Sequence, residues 1–89
     1  MLITDENKLD IVRKLKVHSS KISELEIYAW EKYDHTIASD FFWPNQYLKL
    51  YIQVLEDSVS EGVELSEADV NRIVESCKEI VSYTLKEEL

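Results

Sequence analysis

Glu31 and His35 stand four residues apart, the spacing at which two side chains on one helical face can reach a common metal ion. A di-metal carboxylate site in a helical bundle needs Glu-x-x-His pairs on two helices and two further inward carboxylates, and no comparable pair occurs elsewhere in the chain. The pair therefore reads as part of a solvated polar face. The stretch from Asp57 to Ala68 has the outline of a calcium loop, with an acid first, Glu61 fifth and Gly62 sixth. Val59 takes the third ligand position and Ala68 the twelfth, where a bidentate Glu is required, so the oxygen count fails. Gly62 is better explained as the residue closing a helix. No metal and no other cofactor is expected.

Cys77 paired with His18 or His35 would be the remaining route to a nucleophile. It falls between Val74 and Val81 on an apolar stripe, and a buried thiol without a base is inert. His18 reads as a partly buried residue on an apolar seam and His35 as a surface residue. There is no Gly-rich phosphate loop and no Ser nucleophile motif, and a chain with one glycine has little means of bringing backbone N–H groups up to a ligand. The expectation is a protein that is not an enzyme.

Two features point instead to recognition. Glu56, Asp57, Glu61, Glu64, Glu67 and Asp69 lie within fourteen residues. Glu67 and Asp69 suit a helix N-terminus, whereas Glu61 at a helix C-terminus is on the unfavourable side of the dipole. The run serves either solubility or the recognition of a basic surface. The second feature is the aromatic set Trp30, Phe41, Phe42, Trp43 and Tyr47. These residues either plug the end of a bundle or, in Trp43 and Tyr47, supply exposed anchors of the kind that dominate interface energies, and with Leu50 and Val54 on the neighbouring helix the same side is also a candidate homodimer seam.

The elements that must carry these residues are helices. One Gly and one Pro in the whole chain leave few breaks, and no strand-like alternation occurs. Val70, Ile73, Val74, Cys77, Ile80, Val81 and Leu85 recur at helical spacing, and Ser66 with Asp69 forms a start signal, placing a helix at about 67–86. Pro44 suits a first turn and Gly62 a position just past a last turn, so 44–61 reads as another helix, with Leu48, Tyr51, Ile52, Leu55 and Val59 inward. Tyr47 and Val54 widen that face and Leu50 falls further round. Upstream, Ile11, Leu15, His18, Ile22, Leu25 and Ala29 keep helical steps straight through Ser19-Ser20. Thr4 and Ser19 or Ser20 can each cap a helix, which favours a break there, with a second helix at about 20–38 burying Tyr33 and Ile37. The alternative is one long unbroken helix. The expected fold is all-α, a compact bundle of four helices, or three with a long first helix, forming a single domain over residues 1–89.

Composition sets the class of partner. Hydrophobic residues at 45% and charged residues at 31% describe a chain able to form a core rather than a disordered one. A net charge of −8 disfavours nucleic acid and anionic lipid as partners and favours a basic protein. The excess is local: residues 50–71 hold six acids and no base. A single cysteine excludes an internal disulfide framework and fits a reducing compartment. With no basic leader and no apolar run long enough for a bilayer, a cytoplasmic location is expected.

In size, acidity, helicity and tyrosine content the chain resembles the small bacterial immunity proteins that neutralise nuclease toxins, of the colicin or contact-dependent type. The resemblance is one of character over the whole chain rather than of motif. It implies a cytoplasmic inhibitor that occludes a basic, nuclease-type toxin without chemistry. A homodimeric helical adaptor or regulatory subunit is the alternative, and an unbroken first helix would support it, because such a helix overhangs a compact bundle and invites pairing. A DNA-mimicking phage inhibitor is a third reading, weakened by the near-neutral first half of the chain.

Overall fold

The computed structural model describes residues 3–88 and contains three helices, α1 (Asp5–Lys32), α2 (His35–Ser60) and α3 (Glu67–Leu85). The fold is all-α, and among the described residues there is no strand.

α1 begins where Thr4 caps it, its hydroxyl accepting from the Asn7 amide at 3.2 Å, with Asp5 and Glu6 in the first turn facing the positive end of the dipole. It then runs through Ser19-Ser20 without a break, so the three-helix alternative is the one realised. The physical reason lies in Ser19. Its side chain is buried and donates to Asn45 on α2 instead of folding back to cap a new helix. The chain reverses instead at Tyr33-Asp34. Asp34 is extended and its carboxylate accepts from the Ile37 amide at 3.1 Å, which starts α2 at His35, well before Pro44.

This corrects three expectations. Phe41-Phe42-Trp43, which fall between the expected helices at about 20–38 and 44–61 and so read as their connection, are helix. Pro44 lies inside α2 rather than in its first turn, leaving the Asp40 carbonyl without the amide donor four residues on. Tyr33 and Ile37, expected inward, are exposed at the hairpin turn. The end of α2 does follow the expectation, with Gly62 at φ 68 just past the Glu61 C-cap. Ser66 starts α3 as read, accepting from the Asp69 amide at 3.1 Å.

The core draws on all three helices: Val12, Leu15 and Ile22 from α1, Leu48, Ile52 and Leu55 from α2, and Val70, Cys77 and Val81 from α3. Truncating any of the buried leucines to Ala would cost about 2–5 kcal/mol. Beyond this cluster the α1–α2 pair continues alone, and its inner positions there are small: Ala29 and Ala38 are both buried. At 1.5 Å per residue α1 is about 42 Å long, α2 about 39 Å and α3 only about 28 Å. The Ile3 amide donates to the Leu65 carbonyl at one end of α3, and at the other Glu87 pairs with Lys21 of α1 at 3.2 Å. α3 therefore covers α1 from its start to about Lys21, and the hairpin projects past it. The molecule is accordingly elongated, 46 × 22 × 16 Å, with a radius of gyration of 14.1 Å against about 12 Å for a sphere-like domain of this length.

Two buried polar side chains tie the helices together. Asn45 is fully buried; its Oδ1 accepts from Ser19 at 2.7 Å and its Nδ2 donates to Ser23 at 2.9 Å. Lys8, 2% exposed, sends Nζ to the Val63 carbonyl at 3.2 Å and to Asp5 at 3.5 Å, pinning the α2–α3 turn to the start of α1.

Candidate protein-binding surface

The residues considered for chemistry fall into separate places. Cys77 is fully buried, and burial pushes its thiol up to about 12, so it stays protonated. His18 is mostly buried on the α1–α3 side, with Nδ1 3.6 Å from a Glu87 carboxylate oxygen. His35 is exposed and meets the Trp30 ring edge to face, centroids 4.1 Å apart. Among the described residues no group of three or more His, Cys, Asp or Glu side chains is placed to hold a metal ion. No helix among the described residues is long and apolar enough to cross a membrane.

The acidic run divides by what each carboxylate already does. Glu56 pairs with Lys16 of α1 at 3.1 Å. Asp57 accepts from Gln53 Nε2 at 2.7 Å. Asp69 is held below the usual carboxylate range chiefly by its hydrogen bond with the Ser66 side chain and then by Arg72, whose guanidinium donates to it at 2.7 Å. That leaves Glu61, Glu64 and Glu67, which are exposed around the α2–α3 turn with no cation paired to them among the described residues.

Exposure of the aromatics is the larger finding. Trp43 and Tyr47, the expected anchors, are 61% and 59% exposed on α2, so they do not plug the bundle. Phe41 alone of the Phe-Phe-Trp triplet packs against the core, while Phe42 stands edge to face with Trp43, centroids 5.0 Å apart. Trp43, Pro44 and Tyr47 form one wall of an open groove whose other wall is Glu79, Ile80 and Tyr83 of α3. Trp30, Tyr28 and Tyr33 are also exposed, on the projecting part of the hairpin.

Trp43 and the acidic turn are thus on the same helix but apart, since the rise from Trp43 to Asp57 is about 21 Å. Leu50 and Val54, exposed between them, join the two. The sequence puts Tyr47, Leu50 and Val54 on one helix and offers that side with the aromatic set as a homodimer seam, but with Pro44 read as the helix start Trp43 falls just outside it, and only the continuous α2 aligns Trp43 and Asp40 with the others. Asn45 and Lys8 were also missed. Their signal is register: Asn45 is three residues before Leu48 and seven before Ile52, and Lys8 is four before Val12, so both lie on the apolar face of their helix.

No family model matches the chain, and neither does any curated protein or solved structure.

Proposed function

We propose that this chain is a non-catalytic protein-binding module that occludes part of a basic partner protein. The observation carrying this is the display of large aromatic side chains on rigid helix rather than on a loop, with Trp43 and Tyr47 more than half exposed beside an apolar groove. Rigid Trp and Tyr side chains provide contact area at low entropic cost, and an exposed apolar surface in a highly charged molecule is a feature that solubility alone does not require. The acids Glu61, Glu64 and Glu67 supply steering toward a positive surface. A cytoplasmic inhibitor of a nuclease-type toxin, which the resemblance to immunity proteins implies, is the form of this function favoured by the net charge of −8.

A homodimeric adaptor is the second reading, and a specific observation favours it: α1 is unbroken and the α1–α2 hairpin projects beyond α3 with Tyr28, Trp30 and Tyr33 exposed. Sedimentation equilibrium separates the two. A monomer at high micromolar concentration sinks the adaptor, whereas a stable dimer displaces the inhibitor.

The test of the first reading is co-purification from the source cells at low and moderate salt, with the wild-type chain and the Trp43→Ala/Tyr47→Ala variant as bait. The expected result is one basic protein, released by salt and lost with the variant while its circular dichroism stays helical. Equal capture by both baits would refute the reading.

A further inference from the structure

Along the outer side of α2 the residues Asp40, Trp43, Tyr47, Leu50, Val54 and Asp57 follow one another at intervals of three, four, three, four and three. That is the a/d repeat of a coiled-coil seam, and it faces away from the α2 residues that build the core, Leu48, Ile52 and Leu55. The four central side chains are 48–61% exposed, so among the described residues the seam has no partner that covers it. The residues flanking the seam, Pro44 and Tyr51 on one side and Gln46 and Gln53 on the other, carry no charge. α2 is thus apolar on two sides, one spent on the core and one left outward.

We propose that this seam is the docking surface for an amphipathic helix of the partner, one bearing an apolar a/d stripe bounded at each end by Lys or Arg. The proposal rests on the reading of the chain as a protein-binding module and names what that surface takes.

Charge decides the occupant. Asp40 and Asp57 close the two ends of the stripe, and among the described residues neither is paired with a cation. Glu79 adds a third carboxylate on the α3 wall of the groove. On α3, Arg72 pairs with Asp69, Lys78 with Glu75, and Lys86 lies over the Tyr83 ring at 5.5 Å. Lys49 of α2 is in no ion pair among the described residues but lies about 100° round the helix from Leu50, off the seam. A second copy of this chain meets like charge in either orientation. A parallel pair sets Asp40 against Asp40 and Asp57 against Asp57; an antiparallel pair sets Asp40 against Asp57. Like charges facing each other at a seam oppose pairing, while a basic residue at each end of the partner's stripe would satisfy both carboxylates as the aromatic and aliphatic side chains interdigitate.

The experiment titrates the full chain with three synthetic helical peptides that share one Leu/Ile a/d stripe and end in Lys pairs, Gln pairs or Glu pairs, read by calorimetry and by sedimentation. The Lys-flanked peptide is expected to bind tightest and the Glu-flanked one not at all. Leu50→Asp should weaken the Lys-flanked peptide by about thirtyfold or more. Asp40→Lys/Asp57→Lys should invert the order of the Lys and Glu peptides, which separates recognition from nonspecific stickiness. Absence of binding by all three, or binding indifferent to Leu50→Asp, overturns the proposal. So does self-association of the wild-type chain abolished by Leu50→Asp, which would make the occupant a second copy. If the seam fails while the Trp43→Ala/Tyr47→Ala bait still loses its basic protein, the binding-module reading stands and only this docking mode falls.

Discussion

Ser19 of α1 donates its hydroxyl to Oδ1 of Asn45 of α2 across 2.7 Å, in a part of the hairpin where Asn45 is fully buried. The same amide donates to Ser23 one turn further along α1 at 2.9 Å. This one side chain fixes the register of two long helices, and it explains why α1 does not break at the two serines. Asn45→Ala leaves the Ser19 hydroxyl without its acceptor and should lower stability by about 1–3 kcal/mol. Urea unfolding measures it. The Ser19→Ala/Asn45→Ala double variant should lose less than the sum of the two single losses, because the second change removes a group already orphaned.

Trp43→Ala and Leu50→Asp should each change stability by no more than about 0.5 kcal/mol, since both side chains are 61% exposed. Thermal unfolding followed by circular dichroism checks this. A loss of about 3 kcal/mol at Trp43 would mean that it is core after all.

Cys77 gives a pH signature. Its thiol has an ordinary value of 9.0 and is raised by burial to about 12 in the folded chain. Stability is therefore full below the unfolded value and declines as pH rises from there toward the folded one, because only the unfolded chain ionises. The destabilisation caused by Cys77→Ala should accordingly be smaller at about pH 10.5 than at about pH 8. Maleimide should label Cys77 only after unfolding; labelling of the native protein would contradict its placement.

Ser66 and Asp69 make a prediction of opposite sense. The Asp69 carboxyl is lowered from 3.8, first by its hydrogen bond with the Ser66 side chain. A depressed carboxylate stabilises above its unfolded value, and that contribution is lost as pH falls through the folded one. Ser66→Ala should cost about 1 kcal/mol near neutral pH, the usual value of an N-cap, and the gap to wild type should narrow on acidification. A gap that widens in acid would contradict the reciprocal cap.

The fold class, the α3 helix with its Ser66 cap and the Gly62 stop were legible because each rests on local rules, namely apolar period, capping chemistry and positive φ. The seam from Ile11 to Ala29 also spoke for one long helix. Ser19 and Ser20 spoke against it, and only the tertiary bond from Ser19 to Asn45 decides between the two. Pro44 misled in the same way. A proline inside a helix is penalised locally by about 3 kcal/mol, so it read as a start, yet Asp34 offers a cap and Ala38, Phe41 and Asn45 provide inward contacts that carry α2 through it. Once Pro44 is interior, Trp43 joins Tyr47, Leu50 and Asp57 on one continuous helix. Exposure could not be read from residue type, because Phe41, which packs on the core, and Trp43, which does not, are two residues apart on one helix.

The central claim is that the outer side of α2 is where a partner protein binds. Its most direct test is photo-crosslinking in the source cells, with a benzophenone amino acid placed at Leu50 of α2 or at Ser20, an exposed position of α1. The account predicts a single basic protein crosslinked from position 50 and not from position 20. The same species captured from both positions, or from position 20 alone, would contradict it.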